Sequence, residues 1–248
     1  HEQAKNSVIV LRELLDISTT QEEFLEQVQD RFDIYQSVGC DGDGTVLFTG
    51  YYSPDFHASR KPTVTFSAPL FERPIDLVTD PASGIPLGRK TATGSIDTWP
   101  ARRELEASGE LEGTELVYVK DSLDAYTIHV NGSARLRMDD GELMYIGYAG
   151  KTDREYKGLG HSVLEAGLLP PEKLSLRAIR RLYDKNPEVI SDLIQNNESF
   201  VFFQEYNGEN WPAGSLGVPV TAERSIATDK KIFPRGGIVL VDTTVRSL

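Results

Sequence analysis

The chain has 248 residues, of which 39% are hydrophobic and 26% charged, the composition of a globular protein with one large domain or two ordinary ones. Its net charge of -12 argues against a nucleic-acid partner, because a phosphate backbone would be repelled unless a local basic patch overrode the field. The densest basic cluster, Arg177, Arg180 and Arg181, has helical spacing and is interpreted as a solvated helix face. Cys40 is the single cysteine, which excludes an internal disulfide.

Two helices are predicted near the N-terminus. Apolar residues at i, i+3 and i+7 predict the first over residues 6–16. The second is predicted over residues 20–35, where Thr20 and Glu23 have capping-box spacing and apolar side chains follow at i, i+4 and i+8. The Asp-Gly-Asp-Gly sequence of residues 41–44 indicates a turn, since it lacks the further acids of a calcium loop.

The middle of the chain has the pattern of a β-rich region. Residues 45–52 are rich in β-forming side chains and predict a strand. Residues 54–100 are rich in Pro, Gly, Ser and Thr, which indicates irregular structure with short strands, and residues 102–107 predict a short helix. A β meander with a hairpin turn at 139–141 is then predicted from four apolar or alternating segments, residues 116–120, 126–130, 135–138 and 143–148.

The remaining segments mix helices and strands. An aromatic strand is predicted over residues 199–205, and two short strands separated by turns are predicted at 225–228 and 238–241. Helical spacing recurs before them in three segments, residues 158–167, 175–185 and 187–195. Helices therefore cluster in two places and do not alternate with strands, which predicts an α+β or mostly β protein.

Motifs of common enzyme classes are missing from the sequence. The four histidines are isolated from one another, so no zinc motif is formed. A Gly-x-Ser-x-Gly elbow, a Walker loop and a dinucleotide fingerprint are likewise absent. No metal or cofactor is therefore predicted.

Three clusters of small and polar residues are candidates for ligand contact. Gly50 lies inside a predicted strand beside Tyr51 and Tyr52, which suits close approach of a ligand whose sugar rings could stack on tyrosine. Spacing alone favours the simpler interpretation that these tyrosines face opposite sides of a sheet. The other clusters, residues 131–133 and 147–151, end strands in small residues with Asn or Lys. Together they suit a polar, extended ligand.

Taken in chain order, five blocks resemble the membrane-bound lytic murein transglycosylase A family, and their shared order makes the resemblance specific. Any one of them alone would be a weak signal. They are Phe-Thr-Gly-Tyr-Tyr-Ser-Pro at 48–54, Val-Asn-Gly-Ser at 130–133, Gly-Tyr-Ala-Gly-Lys at 147–151, Asn-Glu-Ser-Phe-Val-Phe-Phe at 197–203, and Ser-Ile-Ala-Thr-Asp-Lys-Lys-Ile-Phe-Pro at 225–234.

The resemblance implies an enzyme that cleaves the β-1,4 bond between N-acetylmuramic acid and N-acetylglucosamine in peptidoglycan. The family leaves a 1,6-anhydromuramic end, because the C6 hydroxyl of the sugar is the nucleophile. One aspartic acid protonates the leaving oxygen and then accepts the hydroxyl proton, so the pair of carboxylates of ordinary glycosidases is not needed. An acid that starts protonated near neutral pH requires a partly desolvated site.

The fold implied by the resemblance is a double-psi β-barrel with an inserted β-rich domain and the glycan in the groove between them. The barrel would comprise residues 1–53 and 209–248, and the insert residues 54–208. Lys151 would meet the carboxylates of the muramyl lactyl group or the peptide stem. The implied substrate-binding residues are Thr49, Gly50, Tyr51 and Tyr52 from the barrel, and Gly132, Ser133, Tyr148, Ala149, Gly150 and Lys151 from the insert.

The sequence departs from the family pattern in places that bear on the site. The family usually has Gln-Gly-Ser-Gly where residues 131–134 read Asn-Gly-Ser-Ala, and Asn-Gly where residues 152–153 read Thr-Asp. Asp229 matches the first of three family aspartates and is expected to play a supporting role. The catalytic acid, in an Asp-x-Gly-Gly-Ala-Ile context, is expected beyond Leu248, since Asp242 lacks the following glycines.

Two alternatives stay open at this point. One is a peptidoglycan-binding module without catalysis, and the other is a conventional two-carboxylate glycoside hydrolase, which would leave reducing ends. The implied ligand is the peptidoglycan glycan strand, with envelope proteins as further candidate partners, no nucleic acid, and a monomeric protein. The implied location is the periplasmic side of the outer membrane, with any signal or lipid anchor outside the sequence.

Overall fold

The computed structural model describes residues 2–39, 42–44, 46, 54–81, 83–208, 212, 219–222, 224–228, 232–233 and 238–241. The chain divides into two compact units, one formed by residues 1–50 and 222–248 and the other by residues 51–221. The strand predicted at 45–52 lies outside the described residues apart from position 46. The predicted domain boundaries stay a prediction.

The first unit contains helices α1 (Glu2–Ile17) and α2 (Gln21–Arg31), which confirms both predicted helices. Thr20 caps α2 by accepting a 3.2 Å hydrogen bond from the Glu23 N–H. The Glu23 carboxylate accepts from the N–H of the residue before Thr20, at 2.9 Å, so the capping box is displaced by one position. The helix ends earlier than predicted because Phe32, which continues the apolar spacing, has extended backbone.

The strands predicted at 225–228 and 238–241 are wrong. Both segments are described, and neither has regular secondary structure. A strand requires a neighbouring strand to complete its ladder of hydrogen bonds, and the apolar pattern of one segment cannot supply that neighbour.

The second unit contains a six-stranded sheet and a three-stranded sheet. The strands are β1 (Asp55–Ser59), β2 (Ala68–Phe71), β3 (Leu77–Thr79), β4 (Pro86–Lys90), β5 (Ile96–Asp97), β6 (Glu115–Val119), β7 (Ser133–Met138), β8 (Leu143–Lys151) and β9 (Val201–Tyr206). The order in the large sheet is β2-β6-β1-β7-β8-β9, and in the small sheet β3-β4-β5. All neighbouring strands are antiparallel except β1 and β7, which run parallel. The short strands predicted within 54–100 and the aromatic strand at 199–205 are confirmed.

Five α-helices and a short 3-10 turn complete this unit, and they confirm the helices predicted at 102–107, 158–167, 175–185 and 187–195. They are α3 (Arg102–Ser108), α4 (Ser122–Asn131), α5 (Leu159–Glu165), the 3-10 turn Pro171–Lys173, α6 (Leu176–Lys185) and α7 (Pro187–Ile194). With both sheets and helices present, the mixed α+β class is confirmed.

The strands predicted at 116–120, 135–138 and 143–148 and the hairpin turn between the last two are confirmed. The remaining strand of the predicted meander is wrong, because residues 126–130 belong to α4. This helix lies between two cores. Ala125 and Ile128 pack against the large sheet, whereas Leu123 and Tyr126 pack against α5, α6 and α7. A helix buried on several sides lacks the polar face that reveals a helical period in sequence.

A third core lies beside the small sheet and includes a residue from the start of β9. Trp99 packs against Phe202 with ring centroids 5.6 Å apart, and Leu77 of β3 belongs to the same cluster. Adjacent residues of β9 therefore point into different cores, Phe202 into this one and Phe203 into the core under α4. Among the helices in the described ranges, none has both the length and the apolar character to cross a bilayer.

Candidate functional site

The C-terminal part of β8 contains a one-residue bulge. Tyr148 lies opposite Phe203 and Gly150 lies opposite Phe202, so two consecutive residues of β9 face three residues of β8. Ala149 is the additional residue, which a bulge leaves outside the regular ladder. The bulge falls inside the 147–151 segment that the sequence singled out.

The bulge determines which side chains share a face. Lys151 lies opposite Val201, and Val201 and Phe203 are two positions apart on β9. Opposite residues of an antiparallel pair share a face, as do residues two apart on one strand. Tyr148 and Lys151 therefore lie on the same face of the sheet. Tyr148 remains 46% exposed, which leaves part of it accessible to a ligand.

The C-terminal end of α4 adjoins this face. Gly132 ends the helix in the left-handed conformation, with φ of +72°, and its N–H donates to the Ile128 carbonyl at 2.8 Å. A Cβ on Gly132 would lie 3.7 Å from the Cβ of Tyr148, so the turn packs directly beside the tyrosine. The Asn131 amide donates to the Thr127 carbonyl at 2.7 Å and fastens the same turn.

The remaining predicted residues of the insert point elsewhere. Ser133 lies opposite Gly147, the neighbour of Tyr148, so its side chain projects from the other face of the sheet. Gly150 faces β3, where a Cβ would lie 2.5 Å from Leu77 Cδ2. The structure thus brings Gly132, Tyr148 and Lys151 together and separates Ser133 and Gly150 from them.

An arginine that the sequence did not indicate holds the bulge. Arg73 Nη1 donates to the Ala149 carbonyl at 2.5 Å. Its Nη2 donates to the Leu77 carbonyl at 2.9 Å and to Thr79 Oγ1 at 3.1 Å. Burial raises the pKa of the Tyr148 hydroxyl, and the positive charge of Arg73 opposes that rise. Arg73 therefore joins β3 to the bulge and lies within electrostatic reach of Tyr148.

A buried polar network supports the start of β9. Arg102 of α3 donates through Nη2 to the Ser199 carbonyl at 2.7 Å, and the same nitrogen lies 3.2 Å from His129 Nδ1. The Val201 N–H also donates to that Nδ1, at 3.3 Å. Two donors at one ring nitrogen require it to be the acceptor, so the imidazole is neutral and Nε2 carries the proton. Burial holds the pKa of His129 well below its ordinary value, and the Arg102 charge lowers it further.

A second charged cluster is structural. Asp121 caps α4 by accepting from the Asp124 N–H at 2.9 Å, and it also accepts from Arg180 Nη1 at 2.8 Å. Arg180 Nη2 donates to the Asp124 carboxylate. Burial raises the Asp124 pKa, followed by the charge of Asp121, while Arg180 opposes both. Asp124 and Arg180 border a cleft of about 540 Å³. Arg180 binds both acids and thereby links α6 to the start of α4.

The assignment of the substrate-binding and supporting residues stays a prediction. Thr49, Gly50, Tyr51 and Tyr52 lie outside the described residues, as do the candidate acids Asp229 and Asp242. Within the described residues, no three His, Cys, Asp or Glu side chains are grouped closely enough to hold a metal ion.

Comparisons with known proteins place this surface in a family context. A family model described as the MltA specific insert domain matches residues 47–204, which include β8 and its bulge. The membrane-bound lytic murein transglycosylase A of Vibrio cholerae is 32% identical over 207 residues, covering 82% of this chain and 51% of the relative. The protein of that name from Escherichia coli K12 is 29% identical over 212 residues, covering 85% and 53%. The chain spans about half the length of these curated relatives.

Solved structures give the same result for the fold. The crystal structure of E. coli MltA with bound chitohexaose superposes with a TM-score of 0.70 at 26% identity, covering 95% of this chain and 64% of that one. A membrane-bound lytic murein transglycosylase from Agrobacterium tumefaciens gives 0.64 at 29% identity, covering 74% and 53%.

Proposed function

The chain belongs to the MltA family, and from that premise we propose that it binds the glycan strand of peptidoglycan in a lytic transglycosylase. The observation that carries the proposal is the shared face of Tyr148 and Lys151 beside Gly132. The bound chitohexaose in the E. coli relative supports a glycan ligand, since that ligand is a chain of amino sugars.

The two side chains suit different parts of a muramyl glycan. The ring of Tyr148 offers a flat apolar surface for the face of a sugar, and its hydroxyl can exchange hydrogen bonds with sugar hydroxyl or acetamido groups. Lys151 supplies an ammonium for the carboxylate of the lactyl group or the peptide stem. Gly132 adds no side chain of its own, which leaves room for the glycan to approach the helix end.

The proposed reaction breaks the bond from C1 of N-acetylmuramic acid to O4 of N-acetylglucosamine. An aspartic acid gives its proton to O4, the C6 hydroxyl oxygen bonds to C1, and the aspartate takes the hydroxyl proton. The result is a 1,6-anhydromuramic end and a free 4-hydroxyl, with no water consumed. We assign the acid to none of the described residues, and we propose the cell envelope as the location.

Two measurements test the proposal. Isothermal titration of this chain with chitohexaose and with a soluble tetrasaccharide of alternating N-acetylglucosamine and N-acetylmuramic acid should show saturable binding of both. The full-length gene product should release anhydromuramic products from murein sacculi, as identified by mass spectrometry. Reducing-end muramic acid would instead indicate a two-carboxylate hydrolase. Binding without any released product would indicate a glycan-binding module.

A further inference from the structure

The bulge in β8 has a consequence for the proposed glycan-binding face. In a regular strand, residues three positions apart point to opposite faces. Tyr148 and Lys151 share a face only because the register shifts by one residue between Tyr148 and Gly150. Without the bulge Lys151 would project toward the core that contains Leu77 and Phe202, and its ammonium could not meet a ligand on Tyr148.

The bulge is held by an arginine from the segment between β2 and β3. Arg73 precedes β3, and its guanidinium donates to acceptors on two strands, the Leu77 carbonyl and Thr79 Oγ1 on β3 and the Ala149 carbonyl on β8. The acceptor on β8 belongs to the bulged residue itself. Gly150 packs its open side against Arg73 and Leu77, which leaves the guanidinium room to reach Ala149.

We propose that Arg73 is a positioning residue that holds the Ala149 bulge and thereby places Lys151 on the face of Tyr148. The role rests on the proposed glycan-binding function. Arg73 acts through the backbone of β8, and the effect falls on recognition of the acidic groups of the glycan, because Lys151 is the side chain whose face depends on the bulge.

The geometry requires an arginine. The planar guanidinium presents its N–H donors in a fixed fork, and here two of its nitrogens serve three acceptors on two strands. A lysine ammonium carries the same charge at one point and cannot span both strands in this way. Arg73→Lys therefore keeps the positive charge but removes the fork of donors, whereas Arg73→Gln removes both the charge and the fork.

The test compares these two variants with Arg103→Gln, which removes an exposed arginine of the same unit whose ion pair is to Asp192 at 2.7 Å, away from β8. Cross-strand NMR contacts between Lys151 and Val201, and between Tyr148 and Phe203, give the register without any ligand. Wild type and Arg103→Gln should show both contacts. Arg73→Gln and Arg73→Lys should lose the first and keep the second, while the core methyl signals, including that of Ile146, show that the fold persists.

Affinity supplies the second measurement. The muramic-acid tetrasaccharide carries carboxylates, whereas chitohexaose carries none. Arg73→Gln should bind the tetrasaccharide about tenfold more weakly, because a charge-assisted contact is lost, and should bind chitohexaose with little change. General destabilisation would weaken both ligands equally, so a changed ratio is specific to positioning.

The outcomes of these two measurements distinguish the positioning role of Arg73, the requirement for an arginine there and the proposed function. Unchanged register and an unchanged affinity ratio in Arg73→Gln, with wild-type binding intact, overturn the positioning role and leave the proposed function standing. Wild-type behaviour of Arg73→Lys in both measurements overturns the requirement for the fork. A wild-type chain that binds neither glycan overturns the proposed function, whatever the register of the variants.

Discussion

At the scale of single residues, Tyr148 is the side chain on which the proposed glycan contact most directly depends. The turn at Gly132 lies beside the Cβ of Tyr148, and 46% of the residue is exposed. Tyr148→Ala should weaken chitohexaose binding about tenfold through loss of the stacking surface. Tyr148→Phe keeps that surface and should lose less than about threefold, since only the hydroxyl contacts disappear.

The matched control is Tyr118→Ala on β6, which β1 and β7 separate from β8 in the sheet. Its binding by isothermal titration should equal that of the wild type. A comparable loss in this variant would mean that the effect of Tyr148→Ala reflects the sheet as a whole and not a contact with sugar.

His129 makes the stability of the second unit depend on pH. Its pKa in the folded protein lies well below the ordinary histidine value of 6.5, because the ring is buried and Arg102 lies beside it. In the unfolded chain this histidine therefore becomes protonated near pH 6.5, whereas in the folded chain it stays neutral. Because the unfolded state then binds more protons, the free energy of unfolding falls as the pH drops below that value. The slope from this one group is at most about 1.4 kcal/mol per pH unit.

Urea unfolding at pH 7.5, 6.5 and 5.5 measures that slope. His129→Asn keeps an acceptor near the Arg102 and Val201 donors but cannot titrate, so its stability should depend less steeply on pH. Its overall stability should be lower, because the edge contacts of the ring with Phe200 and Phe203 are lost. Equal slopes in wild type and His129→Asn would contradict the assignment.

The residues proposed to face the glycan are easier to find in the sequence than the residues that hold them in place. Tyr148, Lys151 and Gly132 stand in short blocks of small and polar residues that a reader of the sequence can notice. Arg73 and Arg102 make their decisive contacts 76 and 97 positions away, with Ala149 and Ser199. No local pattern marks such contacts, because they exist only once two distant segments have folded against each other.

At the scale of elements, the bulge requires glycine at position 150. Gly150 has φ of +154°, and a Cβ would lie 2.5 Å from Leu77 Cδ2 and closer still to Arg73 Nη1. Gly150→Ala combines backbone strain with overpacking and should lower the free energy of unfolding by about 3 kcal/mol. Gly141, in the turn before β8, has φ of +90°, but a Cβ added there would meet no atom within 4 Å. Gly141→Ala should therefore lower the free energy of unfolding only by the backbone strain, about 1 kcal/mol.

Unfolding of the two glycine variants in guanidinium chloride distinguishes the cost of backbone strain from the cost of steric crowding. Gly150→Ala should also abolish the Lys151–Val201 contact, because the alanine displaces the guanidinium that holds the bulge. Equal losses of stability in both variants would mean that the packing between Gly150, Arg73 and Leu77 contributes nothing.

Helix α4 shows why one element was predicted as a strand. Its second half contains aromatic and β-branched side chains at 126–130, and every side chain from Leu123 to His129 is buried. Strand propensity and the lack of a polar face therefore both favoured a strand for a segment that is helical. The helical signals lay at its two ends, where Asp121 accepts from the Asp124 N–H and Gly132 takes the left-handed conformation. Capping residues carry more information than propensity for a helix buried on several sides.

At the scale of the whole molecule, composition and element pattern predicted the α+β class, but not the order of strands. The parallel pairing of β1 with β7 places residues 55–58 against 135–138, with five strands and two helices between them in the chain. Pairing at such a distance depends on which apolar faces find a common core, here the one under α4. Local periodicity gives the faces of each strand but not the partner of each face.

The three buried cores lie entirely within the second unit, which predicts that a fragment of residues 54–208 folds alone. The buried residues of the three cores all lie between Ala58 and Phe203 in the chain, so the fragment contains every one of them. A fragment of this size with a complete apolar interior should unfold in one cooperative transition and keep the core methyl chemical shifts of the full chain. Shifts that differ across all three cores would show that the unit depends on the rest of the chain.

The same fragment tests the predicted contacts at Thr49, Gly50, Tyr51 and Tyr52, which it lacks. If those residues contact the glycan, the full chain should bind chitohexaose more tightly than the fragment, by about tenfold for one lost aromatic contact. The double substitution of Tyr51 and Tyr52 by Ala in the full chain should then lower its affinity to that of the fragment. Equal affinity of fragment and full chain would confine glycan contact to the face of Tyr148 and Lys151.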